Sequence, residues 1–425
     1  MKPKISVIGL GYVGLPLAVE FGKTLNTIGF DVNIDKINNL KKKKLNNLVS
    51  EKKFNLASKL IFSHNKNSLA NSDIFIITVP TPIYRNKKPD LRALISATRL
   101  VSEYVKKNNT IIFESTVFPG VTEDICIPII EKISKLKLNK DFKVGYSPER
   151  ISPGDKSDVS KINKIISGSD KKSVKILFNL YKKIIKAKLF TAKSIKVAEC
   201  AKLIENTQRD VNISFINEVS LICSRLKIHS SDVLKAAGTK WNFLNFKPGL
   251  VGGHCISVDP FYLTYVAKKK KYSPKVILSG RTINDNMGFY IATIILKKLK
   301  ENKIQFKKAK VGILGLTFKE NCDDVRGSKI LDTIKALRRK KINISTYDPV
   351  ANISELVKAD PKIKLKKLKG KFDILVIAVA HKEFINLKYN KIKNYLKSNN
   401  SVFFDIKSIY KKDILSSKNI KFWSL

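Results

Sequence analysis

The sequence predicts an α/β protein with two doubly wound parallel-sheet domains joined by a long central helix. Three observations carry that expectation. Residues 4 to about 190 alternate short apolar runs with longer amphipathic stretches, the βαβ rhythm of a parallel sheet. From Ser194 to Leu226 apolar positions recur three and four apart, and neither Pro nor Gly interrupts them. After the polar stretch Lys300–Lys310 the strand–helix alternation begins again.

The individual elements follow in order. Lys4–Ile8, Thr27–Phe30, Ile74–Thr78, Thr110–Phe113 and Lys143–Tyr146 read as strands of the first sheet. The Gly- and Pro-bearing segment Trp241–Pro260 reads as a loop, with helical character resuming toward Leu299. Lys310–Leu314 opens the second sheet, a helix lies near Ser328–Lys340, and Ile344–Asp348, Ile374–Ala378 and Val402–Asp405 are further strands. A chain of 425 residues accommodates roughly three domains at about 150 residues each. The expected boundaries are 1–193, 194–300 and 301–425.

Composition removes several function classes. The five cysteines (Cys126, Cys200, Cys223, Cys255, Cys322) are scattered with no Cys-x-x-Cys pair, which argues for reduced thiols in a cytoplasm. His64, His229, His254 and His381 lack metal-ligand spacing, so no metal is expected. Met1 leads straight into the first strand, so no signal peptide is expected. No apolar run approaches the roughly 18 residues of a membrane span. The net charge of +47 comes almost wholly from Lys, and the Lys runs at 41–44, 268–271 and 366–369 flank structural elements. That distribution reads as a solvated surface, and no nucleic-acid partner is expected.

Chemistry first appears at Gly9-Leu10-Gly11-Tyr12-Val13-Gly14, which follows the first strand and opens a helix. Asp31 ends the second strand about twenty residues on, the arrangement of a dinucleotide site. The leading glycines permit a tight turn and a close approach of pyrophosphate to the helix N-terminus. Asp31 accepts from ribose hydroxyls and repels a 2′-phosphate, which favours NAD over NADP. Lys36 is assigned to the same site. The domain is therefore expected to be Rossmann-like.

Other strand ends are candidates too, because ligands of open α/β sheets bind beyond the carboxyl ends of strands. Val79-Pro80-Thr81-Pro82 and Glu114-Ser115-Thr116-Val117 occupy such ends, although turns and helix caps would use the same residues. In Tyr146-Ser147-Pro148-Glu149-Arg150, Glu149 and Arg150 read either as a surface ion pair or as a base beside an anion clamp. Lys202, Asn206 and Arg209 share one face of the long helix. Val197, Ala198, Ala201 and Ile204 beside them suggest that this helix is well buried. Cys255 lies in Gly249-Leu250-Val251-Gly252-Gly253-His254-Cys255, with Asp259 four residues later. A lone cysteine is as readily an inert core residue, but glycines let the backbone crowd a ligand. Gly312-Ile313-Leu314-Gly315-Leu316-Thr317-Phe318-Lys319, followed by Asp323-Asp324-Val325-Arg326, reads as a second nucleotide-phosphate turn or as one kept for folding.

In this order the pieces resemble the nucleotide-sugar 6-dehydrogenases, the UDP-glucose/GDP-mannose dehydrogenase family. The resemblance runs from Ile5 to about Asp348. It rests on the strings at 9–16, 79–82, 114–117, 147–150, 201–206, 252–255 and 315–321. The versions at 147–155 and 247–263 resemble the branch acting on UDP-N-acetylhexosamines for bacterial surface polysaccharide. Ser152 stands where that branch usually has Asn, and Lys247 where Arg is commoner, which leaves a point charge without a bidentate fork.

The resemblance implies an NAD-binding domain, a central dimerising helix and a nucleotide-sugar domain, working as a homodimer or higher homo-oligomer. It implies two successive oxidations of carbon 6 through a thiohemiacetal and then a thioester on Cys255. Lys202 and Asn206 would stabilise the oxyanion, Asp259 and Thr116 would position water, and Glu149 would be the general base. Gly9, Gly11, Tyr12, Val13, Gly14, Asp31, Lys36, Thr81, Ser115, Thr116 and Arg326 would meet the cofactor. Phe243, Leu244, Lys247, Gly249, Gly252 and Lys319 would hold the UDP-sugar along with Glu149, Lys202 and Asn206. Arg150 and Arg209 would distinguish an N-acetyl group. Sister activities on UDP-glucose or UDP-N-acetylmannosamine, or an NAD-binding protein without catalysis, are the alternatives.

Overall fold

The computed structural model describes residues 2–45, 48–151 and 158–425. The string 147–155 is therefore described only as far as Ile151, and Ser152 through Asp155 lie outside the described residues. The chain divides into two compact units, Met1–Glu205 with Phe261–Tyr272, and Asn206–Pro260 with Ser273–Leu425.

The first unit holds an eight-stranded sheet. In chain order its strands are β1 (Ile5–Ile8), β2 (Thr27–Phe30), β3 (Leu60–Ser63), β4 (Ile74–Ile77), β5 (Thr110–Phe113), β6 (Lys143–Tyr146), β7 (Lys164–Gly168) and β8 (Leu189–Thr191). The spatial order is β3-β2-β1-β4-β5-β6-β7-β8. All five predicted strands are present to within a residue. β3, β7 and β8 are additions, and two of these have weak signals: β8 is three residues long at an edge, and β7 begins with Lys. Among the described residues the sheet departs from the predicted all-parallel pattern at one place, where β6 and β7 pair antiparallel.

Helix α1 (Gly14–Gly22) follows β1 and is buried along nearly its whole length. Its Leu15, Leu17, Ala18, Val19 and Phe21 join Ile5, Val7, Ile74 and Ile76 in one core. Helix α2 (Ile34–Lys41) follows β2, and Asn33 caps it by accepting the Lys36 amide N–H at 2.9 Å.

The second unit holds β9 (Lys310–Leu314), β10 (Asn343–Tyr347), β11 (Ile374–Ile377), β12 (Val402–Asp405) and β13 (Lys421–Ser424), in the order β10-β9-β11-β12-β13 and all parallel. Period-two alternation covers both faces. Val311, Ile313, Ile374, Val376, Val402 and Phe404 face one core. Leu314, Leu375, Ile377 and Phe403 face the other. The edge strand β13 was not predicted.

The long helix α3 runs Ile195–Leu226, within one residue of its predicted start. Helices α4 (Asp259–Lys269) and α5 (Lys275–Glu301) follow, so the predicted loop ends at Val258, and α6 (Ile330–Arg339) packs beside α5. One expectation fails. Ala198 is buried, but Val197 is 48% and Ile204 51% exposed, so α3 is only partly covered. Phe215, Ile222 and Leu226 are exposed as well. The five lie seven, eleven, seven and four residues apart, which at 3.6 residues per turn keeps them within about 40° of one another. The apolar periodicity of α3 therefore encodes two stripes, and the chain covers one of them.

Both sheets turn at a glycine in the same way. Gly9 has φ +93°, and a Cβ there would touch Val79 at 3.0 Å; Gly315 has φ +92°, and a Cβ there would touch Val379 at 2.7 Å. At the end of the next strand, Asp31 accepts the Leu10 amide N–H at 2.9 Å, and Asp348 accepts that of Leu316 at 2.6 Å. The second turn is thus a structural copy of the first, although its glycine pattern is incomplete.

Candidate active site

In the first unit the glycine turn lies where strand order reverses between β1 and β4, the place where open sheets bind ligands. Gly14 is wedged against the carbonyl of Gly9, whereas a Cβ at Gly11 would meet nothing within 4 Å. That open space lies at the N-terminus of α1, where the helix dipole favours an anion. Tyr12 is half-buried and Val13 buried within the same turn. The Asp31 carboxylate, 6% exposed, accepts the Asn33 amide N–H at 3.0 Å and the Lys36 ammonium at 2.7 Å as well as Leu10. Lys36 is placed with the turn through Asp31.

The loops after β4 and β5 are tied together. Ser115 donates to the Val79 carbonyl at 2.7 Å, Thr81 donates to that of Thr116 at 2.6 Å, and the Tyr262 hydroxyl donates to that of Thr81 at 2.8 Å. Thr81 and Ser115 thereby fix the shape of this rim, which leaves Thr116 half-buried on it. Glu199 of α3 closes the same region by accepting the Gly120 amide N–H at 2.6 Å and that of Thr122 at 3.0 Å. Burial pushes its carboxyl up to about 7. Glu149 is buried, and Arg150 beside it pairs with Glu205 of α3 and donates to the Asn163 carbonyl at 3.2 Å. Lys202 is buried, one turn before Asn206 on α3.

In the second unit Cys255 occupies a turn ahead of α4. Its carbonyl accepts the amide N–H groups of Val258 at 3.0 Å and Asp259 at 2.8 Å. The thiol is half-buried. Asp259 accepts from the Asn206 amide at 2.5 Å, so the two predicted residues do meet. Arg209 is exposed.

The loop before Cys255 has no regular structure, as predicted. Phe243 is half-buried, Leu244 and Lys247 are exposed, and Gly249 is buried. Gly252 packs so tightly on the turn after β9 that a Cβ would lie 2.6 Å from the Gly327 carbonyl. A pocket there, beyond the carboxyl ends of β9 and β11, is lined by Leu250, Gly252, Thr317, Phe318, Glu320, Lys329 and Lys407 among others. Lys319 is half-buried beside these residues in sequence. Arg326 forks onto Asp324 at 2.6 and 2.9 Å.

Models of the UDP-glucose/GDP-mannose dehydrogenase family match three stretches: its NAD binding domain at residues 3–185, its central domain at 196–286 and its UDP binding domain at 312–412. The chain belongs to the UDP-glucose/GDP-mannose dehydrogenase family. It is an NAD-dependent nucleotide-sugar dehydrogenase. It is 45% identical to the UDP-N-acetyl-D-glucosamine 6-dehydrogenase of Pseudomonas aeruginosa, over 96% of this chain and 98% of that protein. It is also 45% identical to protein CapL of Staphylococcus aureus, over the full length of both. Among solved structures, a UDP-D-ManNAc dehydrogenase from Pyrococcus horikoshii superposes with a TM-score of 0.86 at 28% identity, covering 99% of this chain and 98% of the other.

Sequence reasoning missed three features of the dehydrogenase. The first is the charge beside its cysteine. Burial opposes a charge on His254, but the Asp324 carboxylate, 3.1 Å away, and the neighbouring Cys255 side chain hold the imidazole up at about 9. It is therefore charged at neutral pH. The second is Lys407, which pairs with Glu320 at 3.1 Å and lies 3.6 Å from where a Gly249 Cβ would be. Its signal was only a lysine after a strand, in a chain full of lysines.

The third is Asn217 of α3, fully buried. It accepts the Gly249 amide N–H at 2.8 Å and donates to the Gly249 carbonyl at 3.0 Å and to Asn284 of α5 at 2.8 Å. Asn284 in turn donates to Asp210 at 2.8 Å, which also holds Arg281 at 2.6 Å. Asn217→Ala strands both backbone polar groups of buried Gly249, at about 1–3 kcal/mol for each unsatisfied group. The expected result in steady-state assays is a KM for the UDP-sugar raised about tenfold with KM for NAD unchanged. Equal changes in both would remove the loop as the cause. Among the described residues no cluster of His, Cys, Asp or Glu suits a metal ion, and no helix is long and apolar enough to cross a membrane.

Proposed function

We propose that the dehydrogenase oxidises carbon 6 of a UDP-N-acetylhexosamine twice, giving the uronic acid in the cytoplasm. Residues 1–193 bind NAD, 301–425 hold the nucleotide, and 194–300 carry the helix through which copies pair. NAD, when bound, takes a hydride from carbon 6 in each oxidation. The observation that carries the reading is the Cys255 turn, with a half-buried thiol, a charged His254 against it and Asp259 bound to Asn206.

The protein's own groups account for the rest. The sulfur adds to the carbon 6 aldehyde, and a thiol is suited to this because it leaves readily from an acyl group. Lys202 and Asn206 hold the developing oxyanion. In the last step Glu149 takes a proton from a water positioned by Thr116 and Asp259, and the water oxygen adds to the thioester carbonyl. The carbon–sulfur bond then breaks, sulfur leaves as the thiolate and the acid forms. Arg326 is assigned to the cofactor diphosphate and Lys319 to the sugar nucleotide. Arg150 and Arg209 are assigned to the N-acetyl group.

Two relatives named UDP-N-acetyl-D-glucosamine 6-dehydrogenase, 45% and 44% identical, favour a UDP-N-acetylglucosamine-type substrate. A mannosamine reading draws on UDP-N-acetyl-D-mannosamine dehydrogenases 34% identical over 98% of this chain. Incubation with NAD and, separately, UDP-N-acetylglucosamine, UDP-N-acetylgalactosamine, UDP-N-acetylmannosamine and UDP-glucose, followed by NADH absorbance, separates these. Two NADH per sugar from an N-acetylglucosamine or N-acetylgalactosamine substrate is the expected result. Turnover restricted to UDP-glucose, or one NADH per sugar, would sink the proposal.

A second copy of the chain is the proposed occupant of the exposed α3 stripe. Phe215→Glu with Ile222→Glu puts two charges on it, and light scattering is expected to show a shift from dimer or larger to monomer. An unchanged mass would place the interface elsewhere.

A further inference from the structure

A group of buried charges behind Glu149 has no part in the chemistry above. The Glu149 carboxylate accepts the backbone N–H of Arg150 at 2.6 Å and of Ile151 at 2.5 Å through one oxygen. Its other oxygen faces the Lys164 ammonium at 3.7 Å. Lys164, only 5% exposed, donates to Glu114 at 2.8 Å, and the far oxygen of Glu114 accepts the Tyr181 hydroxyl. The Lys164 ammonium also lies 5.0 Å from the centre of the Tyr181 ring.

The reversed strand puts Lys164 there. In a parallel sheet the first residue of a strand lies at the edge opposite the ligand side. β7 runs antiparallel to β6, with Tyr146 opposite Ser167, and the same register continued outward sets Glu149 opposite Lys164. Ser147 extends the pairing by donating to the Ile165 carbonyl at 2.7 Å. This antiparallel pairing therefore delivers a lysine to the carboxyl ends of β5 and β6. Burial alone would discharge it, but Glu114 and Glu149 outweigh burial and hold its ammonium above the ordinary lysine value. One cation thus serves two buried carboxylates, and such a charge is retained in an interior only when paired.

We propose that Lys164 is a positioning residue for Glu149, holding it as an aimed carboxylate, while Glu114 and Tyr181 fix the lysine. The inference rests on the reading of Glu149 as the base of thioester hydrolysis. It follows that Lys164 matters after both hydride transfers and not before.

Lys164→Met leaves two buried carboxylates without their cation and can unfold the sheet. Glu114→Gln with Lys164→Met removes both members of the pair and leaves Glu149 its two backbone donors, so this double variant carries the test. It is mixed with NAD and UDP-N-acetylglucosamine, or whichever UDP-sugar the panel selects. NADH is followed in the first turnover, and intact protein mass is measured. The expected result is a burst of two NADH per site, then a kcat about 100-fold below wild type with little change in KM, and an acyl adduct on Cys255. Wild-type turnover without an adduct would mean that Lys164 merely balances Glu114, and the proposal falls. A slow first turnover without a burst overturns it equally, because the lysine would then act earlier or only on the fold. Full activity of a Cys255→Ala variant would instead overturn the covalent reading itself.

Discussion

Cys255→Ala is expected to abolish turnover, by roughly 10³-fold or more, while the protein still binds NAD and the UDP-sugar and melts like wild type. The side chain is small and half-buried, and the turn is held by its backbone carbonyl, which accepts from Val258 and Asp259. Alanine keeps that carbonyl, so the turn and the start of α4 survive the change. Only the sulfur is lost. Calorimetric binding of each ligand, beside NADH production, separates the outcomes. A variant that binds both ligands and still forms two NADH per sugar at the normal rate would end the thioester mechanism. One that fails to bind would mean that the thiol shapes the pocket instead of reacting in it.

Gly14→Ala is expected to disrupt the first unit. A Cβ there would stand 1.9 Å from the Gly9 carbonyl oxygen and 2.4 Å from the Thr78 hydroxyl oxygen. The first obstacle is backbone, in a turn held on its other side by Asp31, so it cannot swing away. Overpacking of this kind costs about 3 kcal/mol or more and should appear as a lower denaturant midpoint or insoluble protein, with no NAD binding. Gly11→Ala gives the contrast. Its Cβ meets nothing within 4 Å, so the variant should fold normally and lose NAD affinity by roughly 100-fold, about 2.7 kcal/mol. A Gly11→Ala protein that binds NAD like wild type would show that the diphosphate does not cross this turn.

The two glycines explain why part of the site was legible in advance. A spacing such as Gly9-x-Gly11-x-x-Gly14, with Asp31 at the next strand end, is local, and backbone geometry forces it. The same holds for the run of helix-formers in α3 and for the strands buried on both faces. The edge strands β8 and β13 escaped because they are short and half-solvated, which weakens the apolar signal. The burial of α3 was misjudged for a related reason. An apolar stripe announces that something covers it, and its sequence does not say whether that is the same chain.

The sequence by itself determined the two α/β sheets, the dinucleotide turn, the long helix and the cysteine loop, because each follows from residue type and spacing among near neighbours in the chain. Tertiary structure decided which side chains serve which. The direction of β7 brought Lys164 to Glu149 and Glu114, fifteen and fifty residues away in the chain. Asn217 found Gly249, and Asp324 charged His254, across comparable gaps. Pairings of that kind depend on strand direction and helix docking. These are set by the burial of the whole core and leave no local pattern to read.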